Sequence, residues 1–426
     1  MATIVQKFGG TSVGDPIRIE RCARRVQAAL AEGHRVAVVV SAMGDTTDDL
    51  IGLADRVHRG ASGREMDQIM ATGEQVSAAL MAMALDRMGI AAISLTGAQA
   101  GIRVSDAYRK ARIQSIDASR LGRELSAGRV PVVCGFQGLT DSGDVATLGR
   151  GGSDTTAVAL AAALGVGREP GGSCEIFTDV DGVYTADPRL VANAARLATI
   201  GYEEMLELAA LGAGVMHARA VMFGEKYGVP IHVRHSQRPE PGTLIVREYP
   251  GMEDIVVVGC ALKPDLGRVS LRRIPNNIGV QATIFEAIAK ANVMVDDIVQ
   301  TEFGDMASIS FTVDHSDLAE VKVAASQVLD RLGMGELAFE IGLAKVSAVG
   351  TGMRSHTGVA SRMFAALGAA RIPIHNITTS EIKISCIVPR QEGPRALQAI
   401  HDAFDLERLD AGRAEPAAAE TPGIPA

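Results

Sequence analysis

Lys7 stands just before a glycine pair in the run Lys7-Phe8-Gly9-Gly10-Thr11-Ser12. A lysine ending a strand points into the crevice outside the strands' carboxyl ends, where open α/β sheets bind ligands. Two glycines let backbone N–H groups approach an anion, and a helix starting near Pro16 adds the positive end of its dipole. The run is a phosphate site in principle, although it is neither a P-loop nor a GxGxxG fingerprint; a plain strand-to-helix turn uses the same residues. A second cluster is Thr147-Leu148-Gly149-Arg150-Gly151-Gly152-Ser153-Asp154-Thr155-Thr156. Ser153 or Asp154 suits a helix N-cap, which leaves three glycines and an arginine unexplained. Arg150 offers a planar fork for a carboxylate or phosphate.

Three further segments carry polar groups at expected strand or helix ends. Thr178-Asp179-Val180-Asp181-Gly182-Val183-Tyr184, continuing through Asp187-Pro188 to Arg189, reads as a hairpin loop or as a nucleotide's edge. Ser41-Ala42-Met43-Gly44-Asp45-Thr46-Thr47 follows the second strand and presents small hydroxyls. Glu74, in Ala71-Thr72-Gly73-Glu74-Gln75-Val76, sits on a predicted helix, where a lone glutamate is most often solvated.

The elements that would position these groups alternate up to about residue 235. Strands are expected at Thr3–Phe8, Val36–Val40, Ala91–Leu95, Val130–Cys134, Glu175–Thr178 and Ile231–Val233. Between them, Ile19, Ala23, Val26 and Leu30 give one apolar face to a helix from Pro16 to Gly33, and further helices read at Glu65–Met88 and Thr155–Leu164. Strands alternating with helices make an α/β domain with a mainly parallel sheet flanked by helices. The stretch 236–255 holds Pro239, Pro241 and Pro250 and reads as a linker, with a strand beginning at Val256.

Beyond the linker lies an internal repeat. Gly279 aligns with Gly358, and the same offset pairs Val280 with Val359, Phe285 with Phe364, Ala291 with Ala370 and Ile298 with Ile377. Each copy reads as strand, glycine turn, amphipathic helix, strand and hairpin. The boundaries expected are a catalytic domain over 1–235, two small α/β modules over 256–340 and 341–410, and a disordered Ala/Pro-rich tail over 411–426.

Composition narrows the partners. The 426 residues are 47% hydrophobic and carry a net charge of −8, enough apolar content for a core and the wrong sign for nucleic acid or anionic membrane. No apolar run reaches the roughly 18 residues of a membrane span. The five cysteines form no CxxC pair, which fits reduced thiols in the cytoplasm and gives no metal framework.

Taken in order, KFGGTS, SAMGDTTD, ATGEQVS, TLGRGGSD and TDVDGVYTADPR resemble the aspartate kinase family of the amino-acid-kinase superfamily over residues 1 to about 410, and the repeat resembles its paired ACT domains. The resemblance implies ATP-dependent phosphorylation of the β-carboxylate of L-aspartate, the first step toward lysine, threonine and methionine. It implies that Lys7 and Asp154 act on the reacting groups, with Phe8, Gly9, Gly10, Ser41, Thr178, Asp179, Tyr184 and Arg189 on ATP. Thr47, Glu74, Phe136, Arg150, Gly151, Gly152 and Ser153 would form the amino-acid pocket, Arg150 taking the α-carboxylate and Glu74 the ammonium. Mg²⁺ would ride mainly on the ATP phosphates, with no protein metal site. Alternatives are a kinase for another acidic amino acid and a catalytically weakened sensor.

Three departures stand out, one of them Ile278-Gly279 in the first repeat where the family has Pro-Gly. Gly214 replaces a lysine the resemblance places near the nucleotide, so either Lys226 or His217 compensates or ATP affinity is lower. Pro373 replaces an effector-binding asparagine. An amino-acid effector at the repeats would meet Asn276, Asn277, Gly279, Asp297, Gln300, Asn376 and Glu381, and weak or absent lysine inhibition is expected. Met252 sits where some family members start a second, shorter subunit, so the assembly is expected to be a homo-oligomer or α2β2.

Overall fold

A computed structural model describes residues 2–212, 214–252 and 255–409; the expected disordered tail lies outside the described residues. By contact the chain divides into two units. Among the described residues the first comprises 2–184, 195–212, 214–252 and 408–409, the second 185–194 and 255–407.

The first unit is built on an eight-stranded sheet. Its order is Thr199–Gly201, Thr243–Val246, Ile231–His235, Ser173–Thr178, Thr3–Phe8, Arg35–Val40, Val130–Cys134, Ala92–Leu95. Every neighbouring pair is parallel except Ile231–His235 with Thr243–Val246. The mainly parallel α/β reading of the sequence therefore holds. The expected linker is in part a strand: Thr243–Val246 is a β-branched run that completes the sheet, and the prolines before it only shape the turn.

Alternation along Thr3–Phe8 sets the chemistry. Phe8 packs with Ile19, Val26, Ala78, Met81 and Leu85 of the helices Pro16–Ala31 and Gly63–Arg87. Lys7, one residue earlier, must face the other side of the sheet. There the helix Gly152–Ala163 begins, and Asp154 of its first turn meets the lysine. Pro16 is the first residue of its helix, as expected of a ring with φ already set. A smaller four-stranded sheet, in the order Ile113–Ile116, Ile102–Val104, Gln137–Leu139, Val145–Thr147, leads directly into the Gly149–Gly152 turn.

In the second unit the repeat is real at the level of elements. Val280–Lys290 and Val359–Ala369 are eleven-residue helices, each entered through a left-handed glycine, Gly279 at φ 93° and Gly358 at φ 89°. The strands are interlaced. Gly259–Pro275 pairs through Gly259–Lys263 with Lys345–Val349, and through Leu266–Arg272 with Glu336–Leu343. One six-stranded sheet results, in the order Asp296–Phe303, Met306–Asp314, Gly259–Pro275, Glu336–Val349, Lys383–Pro389, Asn376–Thr379. The strand expected at Val256–Val258 is not one; pairing begins at Gly259, one residue after Val258 N–H reaches the Val349 carbonyl.

Thr185–Ala194 joins this second unit although the sequence places it in the catalytic half. The Thr185 carbonyl accepts from Cys260 N–H at 2.7 Å, its hydroxyl meets His401 Nε2 at 3.0 Å, and Asn193 bonds Gln398 and Asp402. All five cysteines are buried and free. No helix among the described residues is long and apolar enough to cross a membrane.

Candidate active site

The site gathers at the carboxyl ends of Thr3–Phe8, Arg35–Val40, Val130–Cys134 and Ser173–Thr178. Lys7, 8% exposed, puts Nζ 2.6 Å from Asp154 Oδ1. The adjoining loops are close together: a Cβ on Gly10 would lie 2.8 Å from the Ala42 carbonyl, while one on Gly9 would only touch Lys7 Nζ at 3.4 Å. Glycine is required at Gly10 for the two loops to come this close. The Gly9 amide, expected to face a phosphate, instead donates to the Phe177 carbonyl at 3.2 Å. That bond ties the turn to the neighbouring strand.

Glu74 is not a solvated helix residue. It is 3% exposed, accepts from Ala42 N–H at 3.1 Å through Oε1, and leaves Oε2 buried without a partner. Burial pushes its carboxyl up to about 7, against the opposing pull of the backbone hydrogen bonds. Its charge in turn adds to the burial that raises the Cys134 thiol, which places Glu74 by the end of the strand Val130–Cys134.

The following residues bend sharply. A Cβ on Gly135 would meet Ser153 at 2.8 Å, and Phe136 adopts φ 70°, a conformation side chains rarely take. It is held there by Phe136 N–H donating to Thr156 Oγ1 at 3.1 Å and by its carbonyl accepting from Leu148 N–H at 2.8 Å. The helix N-cap is neither Ser153 nor Asp154 but Gly151, at φ 67°. Both side chains thereby fall on the first turn: Ser153 is buried and Asp154 reaches Lys7. Arg150, between left-handed Gly149 and Gly151, is exposed and has no ion-pair partner among the described residues. Thr47, half-buried, lies in the first turn of the helix Thr46–Val57.

On the other edge, Ser41 N–H donates to the Phe8 carbonyl at 3.1 Å, and the Thr178 hydroxyl donates to Asp179. The loop is not a free hairpin: Asp181 is paired with Arg238 at 2.9 Å, and Tyr184 bridges Arg196. Arg189, expected on the nucleotide, belongs to the second unit. It lies in Thr185–Ala194, which packs with the second unit, and its guanidinium is paired with Asp187 at 2.7 Å.

The two residues suggested to compensate for Gly214 are both engaged on the helix Ala218–Tyr227. His217 caps the helix Ala218–Tyr227, accepts from Arg219 N–H at 3.3 Å through Nδ1, and packs its ring where a Cβ on Gly151 would be. Burial and the Arg219 charge lower its pKa below the ordinary value, so it is neutral at pH 7 and brings no cation. Lys226 lies over the Tyr227 ring, 5.1 Å from its centroid.

Sequence reasoning passed over Asp67 and Arg219, which grip the turn that carries Arg150. Asp67 recurs seven residues before Glu74 on one helix, a spacing that places both on one face and could have marked it. Among the described residues no group of three His, Cys, Asp or Glu side chains is placed to hold a metal ion.

In the second unit, Gln300 Oε1 accepts from Gln281 on the helix after Gly279, while Glu381 is paired with Arg354. Asp297 is engaged by Lys345, 1% exposed, and by Thr378, two residues from Asn376. Asp297 is therefore an internal ion-pair partner rather than an open effector contact.

A model of the amino acid kinase family matches residues 2–235, and one of an ACT domain matches 346–404. Aspartokinase 2 of Bacillus subtilis (strain 168) is 47% identical over 408 residues, covering 96% of this chain and 99% of its own length. The aspartokinase of Geobacillus stearothermophilus is 47% identical over 407 residues, 95% of this chain and 98% of its own. Among solved structures, E. coli aspartokinase III in complex with aspartate and ADP (R-state) is similar with a TM-score of 0.79 and 25% identity, over 94% of this chain and 99% of that one.

Proposed function

From the premise that this chain belongs to the aspartokinases of the amino acid kinase family, we propose how its own residues carry the reaction. The reaction is ATP-dependent phosphorylation of the β-carboxylate of L-aspartate to 4-phospho-L-aspartate. The observation that supports the residue roles best is a pair of opposite side chains without ion partners among the described residues, Glu74 with a buried spare oxygen and Arg150 on the turn that precedes Asp154. An amino acid's ammonium and α-carboxylate match that pair. Thr47, Phe136, Gly151, Gly152 and Ser153 wall the same pocket.

Mg·ATP enters as substrate on the side of Phe8, Gly9, Gly10, Ser41, Thr178, Asp179 and Tyr184, its metal held mainly by its own phosphates. Lys7 neutralises charge that shifts during phosphoryl transfer, and Asp154 holds Lys7 in place. No protein base is needed, since the attacking β-carboxylate is ionised at pH 7. Trapping the acyl phosphate with hydroxylamine tests the reading. Aspartate hydroxamate formed only with Mg·ATP supports it; product with glutamate alone points to another acidic amino acid, and no product to a sensor.

Glu74 makes the reading pH-sensitive. Its carboxyl must ionise to take an ammonium, and burial delays that to about pH 7. kcat/KM for aspartate is expected to rise roughly tenfold per unit below that pH and to level off above it. The stability sign is opposite. A carboxyl whose folded pKa is raised loses stability as pH climbs from its model value of 4.5 to about 7. Glu74→Gln should therefore flatten the pH–rate profile while raising the melting temperature at pH 8 and leaving it unchanged near pH 4. A pH–rate inflection that survives in Glu74→Gln removes Glu74 from substrate recognition.

Regulation follows from the second unit. An amino-acid effector would meet Asn276, Asn277, Gly279, Gln300 and Asn376, and Pro373 supplies no amide. Millimolar lysine is expected to leave the rate unchanged; inhibition below 1 mM, an order-of-magnitude bound typical of metabolite affinities, would refute this part. Met252 is the last residue of its stretch of the first unit. A product beginning there would hold about 175 residues, the interlaced sheet included, but not Thr185–Ala194. Met252→Leu in the native gene should abolish a species of that size which co-purifies with the full chain as α2β2. If the unaltered gene yields no such species, the assembly is a homo-oligomer.

A further inference from the structure

Asp67 is fully buried on the helix Gly63–Arg87, yet it is no part of the pocket described above. A carboxylate removed from water is tolerable only where hydrogen bonds replace its solvation. Here three do. Oδ2 accepts from Thr147 N–H at 2.7 Å and Arg109 N–H at 2.8 Å, and Oδ1 accepts from the Thr147 hydroxyl at 2.8 Å.

These donors are the roots of the substrate turn. Thr147 ends the strand that runs into Leu148-Gly149-Arg150. Arg109 is held at φ 65°, and its carbonyl lies where a Cβ on Gly149 would come within 2.9 Å. The two segments are also tied directly, Ala111 N–H donating to the Thr147 carbonyl at 2.9 Å. From the helix Ala218–Tyr227, Arg219 donates to the Leu148 carbonyl at 2.7 Å and to the Ala111 carbonyl at 3.2 Å. A buried anion thus takes the amides of these segments, and a cation takes their carbonyls.

Asp67 and Glu74 are seven residues apart, two helical turns, and so share one face at a separation of about 10 Å along the axis. One rigid helix therefore carries both the ammonium acceptor and the anchor of the turn that bears Arg150. We propose that Asp67 is a positioning residue for the amino acid, fixing where Arg150 stands relative to Glu74 and so the length of substrate that fits between them. This rests on the reading of Arg150 and Glu74 given above.

Steady-state kinetics on the full chain test it. Asp67→Ala leaves two buried amides and a hydroxyl without an acceptor. The KM for aspartate is expected to rise roughly tenfold or more, with the KM for Mg·ATP within about twofold of normal. Asp67→Asn should restore the aspartate KM to within about threefold, because one amide oxygen can accept both N–H groups while its NH2 donates to the Thr147 hydroxyl. A purely structural role would lower kcat through lost active protein and leave both KM values alone. That result, or an equal rise in both KM values, overturns the inference. Should Asp67→Ala fail to fold, Thr147→Val removes one bond of the three: a rise of about threefold in the aspartate KM supports the role, and no change overturns it. Arg150→Lys is measured alongside. If it raises the aspartate KM while Asp67→Ala does not, this inference alone falls; if it leaves that KM normal, the reading of Arg150 falls and this inference with it.

Discussion

Lys7→Ala is expected to lower kcat by about two decades or more, the scale of one oxyanion-type donor removed from a transition state. The lysine is 8% exposed, so its charge acts where water screens little, and its Nζ is 2.6 Å from Asp154. Phosphoryl transfer moves charge onto the leaving phosphate oxygens, and a fixed cation in such a site favours that movement without reorganising. The fold should survive, because Lys7 faces the crevice while Phe8 holds the core on the other side of the strand. The loss should therefore lie in kcat, with the KM values for aspartate and Mg·ATP shifted much less. Asp154→Asn tests the partner: it keeps the shape and frees Lys7 to swing, so kcat should fall by less than in Lys7→Ala. A Lys7→Ala protein with near-normal kcat removes the residue from the mechanism.

The second large effect belongs to Arg150→Lys. The side chain is exposed and has no ion-pair partner among the described residues, and it stands on the turn between Gly149 at φ 78° and Gly151 at φ 67°. Replacing it disturbs no packed neighbour, so the change reads recognition rather than stability. Lysine keeps the charge but loses the planar fork that grips both oxygens of a carboxylate. The KM for aspartate should rise at least tenfold, about 1.4 kcal/mol, while the KM for Mg·ATP changes little. If the Mg·ATP value rises instead, Arg150 reads the nucleotide.

The sequence by itself determined what depends on neighbours along the chain. The buried strand ending in Lys7, the Gly9-Gly10 turn, Pro16 as a first helical residue and the twin glycine-capped helices were all legible, because each is a local rule of backbone or periodicity. The resemblance carried by five short motifs gave the family for the same reason. Only the tertiary structure decided the rest. Glu74 reads as a surface glutamate until a strand and a loop from elsewhere bury it and raise its pKa. The Gly9 amide looks free until the strand Ser173–Thr178 takes it, and His217 looks like a spare cation until burial and Arg219 neutralise it. Arg189 sits in a motif with the nucleotide's expected contacts, but its segment packs with the other unit. Asp67 carries no motif at all. Apart from Arg219, two residues from His217, the deciding partners are far away in sequence, and desolvation and hydrogen bonding depend on what surrounds a group in space, which residue order along the chain does not state.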